Sequence, residues 1–201
     1  MDSAFWNQRY AAPEFFYGTA PNGFVAACAS LIPPGPVLCL AEGEGRNAVF
    51  LAGRGHAVTA MDQSDVGLAK ARRLAAERGL ALATTVADLA DFAIAPAAWA
   101  GVVATFVHLP PPLRRLVHRR VAEGLSPGGV FILEAYTPDQ MRHRTGGPVN
   151  QPELLMKLAE LRDELAELEL VVAQELERDV SEGTGHRGLG AVVQVAARRL
   201  Q

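Results

Sequence analysis

The feature that most constrains this chain is a short glycine loop between a buried strand and a helix. Residues 37–41 (Val-Leu-Cys-Leu-Ala) form an apolar run bounded by turn residues, as expected of a strand covered on both faces. Residues 43–48 (Gly-Glu-Gly-Arg-Asn-Ala) follow with the G-x-G-x-x-G/A pattern that opens a helix. A second apolar run, residues 57–61, ends at Asp62, 19 positions after Gly43. This order predicts a βαβ unit with a nucleotide-type binding site.

The three parts of this predicted site have separate physical roles. Gly43 and Gly45 allow a ligand to come close to the backbone, because glycine has no Cβ. The first turn of the following helix presents free N–H groups. At the end of the next strand, Asp62 is placed to accept hydrogen bonds from both hydroxyls of a ribose.

Further segments extend this unit into an α/β fold. Helices are predicted over residues 46–53 and 64–78, after Pro112, and over 152–165. Strands are predicted over 81–87, 100–106, 129–135, 168–178 and 190–199. The alternation predicts a Rossmann-like three-layer sandwich with a mostly parallel seven-stranded sheet. Because residues 181–185 are too few for a helical crossover, the last two strands are expected to form a C-terminal antiparallel hairpin.

Length and composition limit the classes of protein that remain. A chain of 201 residues, 49% hydrophobic, fits a single domain over 1–201, with residues 1–30 as an N-terminal helical lid segment. The net charge of -3 does not favour nucleic acid as a partner, and no apolar run reaches the roughly 20 residues that cross a bilayer. Cys28 and Cys39 alone make neither a disulfide framework nor a zinc site. We expect a cytoplasmic protein, monomeric or homodimeric.

Two acidic residues in the glycine loop bear on the identity of the ligand. In a dinucleotide site the pyrophosphate lies at this loop, where Glu42 and Glu44 would repel it. The same carboxylates would stabilise a cation. S-adenosylmethionine carries both a sulfonium and an ammonium group, so the loop favours this cofactor over NAD.

Several motifs make the chain resemble the class I S-adenosylmethionine-dependent methyltransferases. Residues 37–47 resemble their motif I, particularly that of a small bacterial group with tellurite-resistance-type and thiopurine-like enzymes. The likeness continues through residues 6–10, 17–19, 61–64, 87–89, 105–109 and 126–129. Gly43, Gly45 and Asp62 are the most specific matches.

The resemblance implies where each part of the cofactor would lie. Residues 41–47 would hold the methionine portion, Asp62 and Gln63 the ribose, and residues 88–89 the adenine, while residues 105–108 would close the pocket near the sulfonium. The implied cofactor-binding residues are Arg9, Ala41, Glu42, Gly43, Glu44, Gly45, Arg46, Asn47, Asp62, Gln63, Asp88, Leu89, Thr105 and Phe106.

Two positions depart from the family pattern. Cys39 stands where the family has an acidic residue that contacts the ammonium group, and we assign that contact to Glu42. Ala41 stands where the family has its first glycine, which narrows the backbone conformations available at the turn.

The acceptor end of the site is expected at the carboxyl ends of strands four and five. His108 is the main candidate for orienting or deprotonating an acceptor, with a structural histidine as the alternative. Tyr17 from the lid segment and Tyr136 after strand five are further catalytic candidates. Other residues on this rim are Glu134, His143 and the loop 146–148, whereas His186 and Arg187 could reach the pocket or face water.

These observations predict methyl transfer from S-adenosylmethionine to a small acceptor: a thiol, a metalloid oxyanion or a small metabolite. A base is optional, since the leaving group is already activated and the protein mainly aligns and desolvates the acceptor. Two alternatives are a non-catalytic sensor that binds the cofactor and an NAD-dependent oxidoreductase.

Overall fold

Seven strands form one sheet in the computed structural model, which describes residues 2–200. The strands are β1 (Pro36–Leu40), β2 (Ala57–Asp62), β3 (Ala83–Val86), β4 (Trp99–Thr105), β5 (Leu125–Tyr136), β6 (Glu169–Glu182) and β7 (His186–Arg198). The helices of the described chain are α1 (Ser3–Tyr10), α2 (Gly23–Cys28), α3 (Arg46–Gly53), α4 (Asp65–Glu77), α5 (Pro111–Gly124), α6 (Gln140–His143) and α7 (Leu158–Glu164). Met1 and Gln201, the two ends of the domain predicted over 1–201, lie outside the described residues.

The sheet has the order β3-β2-β1-β4-β5-β7-β6. Strands β1 to β5 pair in parallel, whereas β7 pairs antiparallel with both β5 and β6. The predicted fold class, with its C-terminal hairpin, is confirmed. A turn of only three residues, 183–185, joins β6 to β7, and such a turn permits only an antiparallel return.

Alternate residues of the parallel strands enter two separate apolar layers. In β1, Leu38 and Leu40 pack with α5 and α7 on one face, whereas Val37 and Cys39 pack with α2 and α3 on the other. Both faces are therefore covered, and the carboxyl ends of the parallel strands form the open edge where ligands bind in such sheets. Within residues 2–200, no helix combines the length and apolar character that crossing a bilayer requires.

Helix α4 begins and ends as the sequence predicts. The Ser64 Oγ accepts a hydrogen bond from Gly67 N at 2.9 Å and caps the helix, and Gly79 beyond its end has a φ of +67°. The helix predicted over 152–165 is different. It is divided into a 3₁₀ turn (Pro152–Leu154) and α7, because Met156 N bonds to Tyr136 O at 2.9 Å and holds the chain extended beside β5.

The N-terminal segment packs beside the start of α4. Asn7 of α1 donates to Asp65 at 2.8 Å and accepts from the Ser64 hydroxyl at 2.6 Å. Asn22, the residue that caps α2, is fully buried and receives a backbone N–H bond from Phe24. These contacts hold residues 10–22 against the edge of the sheet that carries the glycine loop.

Candidate functional site

The glycine loop after β1 contains three left-handed residues. Ala41, Gly43 and Gly45 have φ values of +46°, +61° and +91°. A Cβ at Gly45 would lie 2.5 Å from the Cβ of Ala71, so the close packing of α3 on α4 also requires glycine there. Ala41 adopts the strained conformation that a glycine would take without cost.

Asp62 joins the end of β2 to this loop. Its Oδ2 accepts from Gly43 N and its Oδ1 from Ser64 N, both at 2.8 Å, and only 5% of the residue is exposed. Burial raises the pKa of Asp62, while these N–H groups oppose the shift. The backbone N–H of Gln63 is a third donor to this carboxylate, which has about four acceptor positions and so keeps about one for a ligand. Gln63, the next residue, is half-buried.

Glu42 caps the helix that follows the loop. Its Oε1 accepts from Asn47 N and Ala48 N, each at 2.8 Å. Burial raises the pKa of Glu42 to about 7, although these bonds and the charge of Arg46 lower it in part. The residue assigned to the ammonium group is thus held at the α3 N-terminus.

The other two charged residues of the loop have protein partners. Glu44 forms an ion pair of 2.5 Å with Lys70 Nζ and accepts from Tyr17 N at 3.3 Å. Arg46 Nη2 lies 2.5 Å from the Glu182 carboxylate. Glu44 and Arg46 are thus paired, whereas neither Glu42 nor Asp62 forms an ion pair with a described residue, although the Arg46 charge acts on Glu42.

Residues at the ends of β3 and β4 extend the site along the sheet edge. Asp88 is exposed and accepts from Ala90 N at 2.8 Å, and Leu89 is buried in the core. Thr105 Oγ1 accepts from Asn47 Nδ2 at 3.0 Å, which ties β4 to α3. Phe106 follows with a φ of +55°.

Five rings form a cluster beyond the ends of β4 and β5, which we call the aromatic cluster: Tyr17, Phe106, His108, Tyr136 and His186. His186 packs against three of the others, with centroid distances of 4.8 Å to Tyr17, 4.5 Å to Phe106 and 5.4 Å to Tyr136. His108 stacks on Tyr136 at 5.8 Å. The structure thus brings the three predicted catalytic residues together and places His186 among them.

His108 has one ring nitrogen in use and one without a partner. Its Nδ1 lies 3.1 Å from Leu154 O, which makes this nitrogen the donor and leaves Nε2 as an acceptor. Nε2 is buried without a hydrogen-bond partner in residues 2–200. Burial lowers the pKa of His108 to about 4, so the ring is neutral at pH 7. The bond to Leu154 is typical of a structural histidine. Nε2, by contrast, has a lone pair that no protein group uses and that a methyl acceptor molecule would be able to bond.

Of the other predicted residues, Arg9 reaches the aromatic cluster and two lie apart from it. The Arg9 guanidinium stacks over Phe5 at 5.0 Å and Phe16 at 4.8 Å, and its side chain bonds to Tyr17. His143 Nε2 pairs with the exposed Glu177 at 2.9 Å. Arg187 is exposed and bonds to Gly183 O.

Sequence reasoning named Arg46 and Glu134 as site residues but missed that they join Arg178 and Glu182. We call these four residues the ion network; Arg178 is half-buried and the other three are buried. Glu134 accepts from Arg178 Nε at 2.6 Å, and Glu182 accepts from Arg178 Nη2 at 3.1 Å and from Arg46. Burial alone would raise the pKa of Glu182, but its bonds to His186, Arg46 and Arg178 outweigh burial and lower it to about 2. Asn22 also donates to both glutamates.

Lys70 was also missed, although the sequence contains a signal for it. It lies on the buried face of α4 with Gly67, Leu68, Ala71 and Leu74, where an apolar residue is the norm. A lysine in that stripe indicates a buried partner, which is Glu44.

The fold resembles that of solved S-adenosylmethionine-dependent methyltransferases. Residues 37–129 match the family model described as a methyltransferase domain. This match covers less than half of the chain, and it shows that this part is similar to methyltransferase domains.

One curated relative and many solved structures are similar to the chain. The relative is a 2-heptyl-1-hydroxyquinolin-4(1H)-one methyltransferase of Mycobacteroides abscessus, 30% identical over 125 residues, which are 60% of this chain and 55% of that enzyme. The chain thus spans about half the length of this relative.

Two of the similar structures cover almost all of the chain. One structure concerns the conversion of a disulfide bond into a thioacetal group during echinomycin biosynthesis. It has a TM-score of 0.78 and 22% identity, and the match covers 98% of this chain and 92% of that one. The other is TehB from Haemophilus influenzae, with a TM-score of 0.73 and 20% identity over 98% and 66%. At these identities the likeness concerns the fold.

Proposed function

We propose that the protein transfers the methyl group of S-adenosylmethionine to a small-molecule acceptor. The observation that carries this proposal is the pair of acidic groups beside the glycine loop, Glu42 and Asp62, neither of which forms an ion pair with a described residue. Such a loop suits a cationic ligand and disfavours a pyrophosphate. We therefore favour methyl transfer over NAD-dependent oxidation.

The residues of the loop fit this cofactor. Asp62 keeps about one acceptor position for a ribose hydroxyl. Gly43 and Gly45 hold the left-handed turns that bring the loop backbone next to this carboxylate. Asp88 and Leu89 lie at the next strand end, where they would flank the adenine. Arg9 and Tyr17 belong to the segment that would cover the methionine portion.

The chain's own residues would mainly orient the acceptor and exclude water. The bound cofactor supplies a methyl group already activated on its sulfonium. His108 Nε2, an acceptor in a neutral ring, is able to receive or orient a hydroxyl, thiol or amine proton. Tyr136 and Tyr17 border the same space and complete its walls.

The acceptor classes that we propose are those expected from the sequence. The M. abscessus relative is named for a hydroxyquinolinone, and TehB is similar in fold. We therefore propose a thiol, a metalloid oxyanion or a small metabolite, in a subgroup similar to the tellurite-resistance and thiopurine-like enzymes.

A substitution at Asp62 tests the cofactor assignment. Asp62→Ala should weaken S-adenosylhomocysteine binding by roughly 1.5–3 kcal/mol, the range for hydrogen bonds to a charged group. Asp91→Ala, which removes an exposed carboxylate from the loop after β3, is the matched control and should bind normally. Equal affinities of the two variants by calorimetry would remove Asp62 from the site.

Turnover separates an enzyme from a sensor. Wild-type protein should release S-adenosylhomocysteine in a screen of thiols, oxyanions and small metabolites. Cofactor binding without turnover on any acceptor class would support the non-catalytic alternative instead.

A further inference from the structure

The orientation of His108 depends on a part of the chain 46 positions away. Its Nδ1 lies 3.1 Å from Leu154 O, and its ring stacks on Tyr136 with an angle of 7° between the planes. In a neutral histidine either ring nitrogen is able to carry the proton, and the hydrogen bond made at one nitrogen determines which. Stacking does not distinguish the two nitrogens. The position of the Leu154 carbonyl therefore decides whether Nε2 is unprotonated.

Leu154 lies in a segment that does not hold its own conformation. It ends the three-residue 3₁₀ turn Pro152–Leu154, and α7, which follows, has only seven residues. Helical pieces this short are unstable in isolation. The bond from Met156 N to Tyr136 O holds the next part of the segment but does not involve the Leu154 carbonyl. The placement of this carbonyl therefore depends on tertiary contacts, among them those that hold α7.

Four side chains join α7 to α5, and we call them the α5–α7 cluster: Arg114, His118, Glu160 and Glu164. Arg114 Nη2 donates to Glu160 in the first turn of α7 at 2.8 Å and to Glu164 at its end at 2.7 Å. Arg114 Nε also donates to Glu164, at 3.0 Å, and His118 Nδ1 lies 2.7 Å from the same carboxylate. Only 1% of Arg114 is exposed. One buried arginine thus holds α7 at both ends.

A stiff connection joins Arg114 to His108. It contains three consecutive prolines, residues 110–112, whose rings fix φ. Arg114 N donates to the carbonyl of the first of these prolines at 2.9 Å. Val107 and Leu109, the neighbours of His108, border the same small cavity as Arg114. The arginine therefore links the loop that carries His108 to the helix that follows the 3₁₀ turn.

Stability alone does not account for an ion cluster at this place. Burial of charges costs free energy, which a salt bridge repays only when the remaining protons are also bonded. Arg114 Nη1 is buried and has no hydrogen-bond partner in residues 2–200. Replacement of a buried ion pair by well-packed apolar residues is often neutral or stabilising. What the ion pair supplies, and apolar side chains do not, is a fixed direction and distance between the two helices.

We infer that Arg114 and Glu164 are positioning residues for His108. By fixing α7 on α5, they hold the Leu154 carbonyl at Nδ1, which keeps the proton on that nitrogen and leaves Nε2 unprotonated. Neither residue contacts the acceptor. This inference rests on the proposed function, in which His108 Nε2 receives or orients the acceptor proton.

Long-range ¹H–¹⁵N NMR on the full chain, labelled with ¹⁵N at histidine, tests the inference and needs no acceptor. The chemical shifts of the ring nitrogens report the tautomer, and His108→Gln identifies the His108 signals. In the wild type we expect a protonated Nδ1 and an unprotonated Nε2. In Arg114→Leu/Glu164→Leu we expect the two shifts to move toward each other, because both tautomers are then populated.

The choice of variants keeps the test decisive. The double variant removes both charges together and leaves no unpaired charge from the pair, so it should remain folded. Arg114→Lys keeps the charge but loses the two-pronged contact with Glu164, and it should move the His108 shifts in the same direction. Glu123→Gln, which removes the partner of the exposed Arg119 on the same helix, should leave them unchanged. Wild-type His108 shifts in the folded double variant or, if that variant does not fold, in Arg114→Lys would overturn the inference.

Kinetics with an acceptor from the turnover screen separate positioning from a general loss of structure. The double variant should lower kcat at least about tenfold, a part of what a general base contributes, with S-adenosylhomocysteine affinity unchanged. In a His108→Ala background the same double substitution should lower kcat no further, since its effect passes through His108. Equal losses in the two backgrounds would contradict a positioning role.

The two measurements also separate this inference from the proposed function. Wild-type protein that turns over no acceptor would contradict the proposed function, while the effect of the variants on the His108 tautomer would stand. Normal turnover by the wild type, with His108 shifts that are the same in every variant, would contradict the inference alone.

Discussion

Removal of the Lys70 ammonium should cost the protein much of its stability. Lys70 Nζ is paired with Glu44 at 2.5 Å and donates to the backbone oxygens of Ala12 at 2.8 Å and Glu14 at 2.5 Å. Only 7% of Lys70 and 4% of Glu44 are exposed. Lys70→Met would leave a buried carboxylate unpaired and release the N-terminal segment from α4.

The expected size follows from this burial. Breaking a buried ion pair by removing one partner costs about 3–5 kcal/mol. For a domain of about 150–250 residues, each kcal/mol lowers Tm by about 2–4 °C, so Lys70→Met should lower it by roughly 6–20 °C. Glu44→Gln should cost less, because the ammonium keeps its backbone carbonyl partners. The double variant Lys70→Met/Glu44→Gln should be more stable than Lys70→Met, since no unpaired charge remains.

Urea denaturation of the four proteins in this cycle provides the measurement. The coupling energy between Lys70 and Glu44 should exceed about 1 kcal/mol. The control is Glu77→Gln, which removes one partner of the exposed Arg73–Glu77 pair on the same helix and should cost less than about 1 kcal/mol. Additive single effects, or a Lys70→Met loss no larger than that of Glu77→Gln, would refute the reasoning.

Three further predictions concern single residues of the site. Ala41→Gly should stabilise the fold by up to about 1 kcal/mol in denaturant melts, because φ at Ala41 is +46°. The control is Ala97→Gly, at a φ of +49° outside the loop, which should stabilise the fold equally without changing cofactor affinity. Glu42 has a folded pKa of about 7 against 4.5 when exposed, so stability should fall as the pH rises between these values, and Glu42→Gln should remove that part of the pH dependence. His108→Ala should lower kcat/KM for the acceptor about 10²-fold or more with cofactor affinity intact; a joint loss of Tm, binding and activity would mark His108 as structural.

Local patterns predicted the parts of the fold that local interactions determine. The apolar run of β1, the helix over 64–78 and the short connection over 181–185 each depend on neighbours in sequence. The structure has β1, a helix over Asp65–Glu77 and a turn at 183–185 in these places. The single helix over 152–165 was wrong because Met156 bonds to Tyr136, a partner 20 positions earlier in the chain that helical periodicity does not reveal.

The site was predictable where one motif contains its parts. Gly43, Gly45 and Asp62 lie within 20 residues of each other, and the structure joins Asp62 directly to Gly43. The ion network joins residues as far apart as Arg46 and Glu182, 136 positions away, so spacing gave no sign of it. The sequence likewise did not determine whether His186 reaches the pocket or faces water. Its position depends on how the final hairpin packs against Tyr17 and Phe106.

The central claim is that the glycine loop binds S-adenosylmethionine, and a comparison of ligands by thermal denaturation tests it most directly. At about 100 times its dissociation constant, a ligand stabilises the folded state by about 2.7 kcal/mol, which is about 5–10 °C in Tm for a chain of this length. S-adenosylhomocysteine should produce such a shift, and NAD at the same concentration should produce none. A shift with NAD and none with S-adenosylhomocysteine would contradict the account.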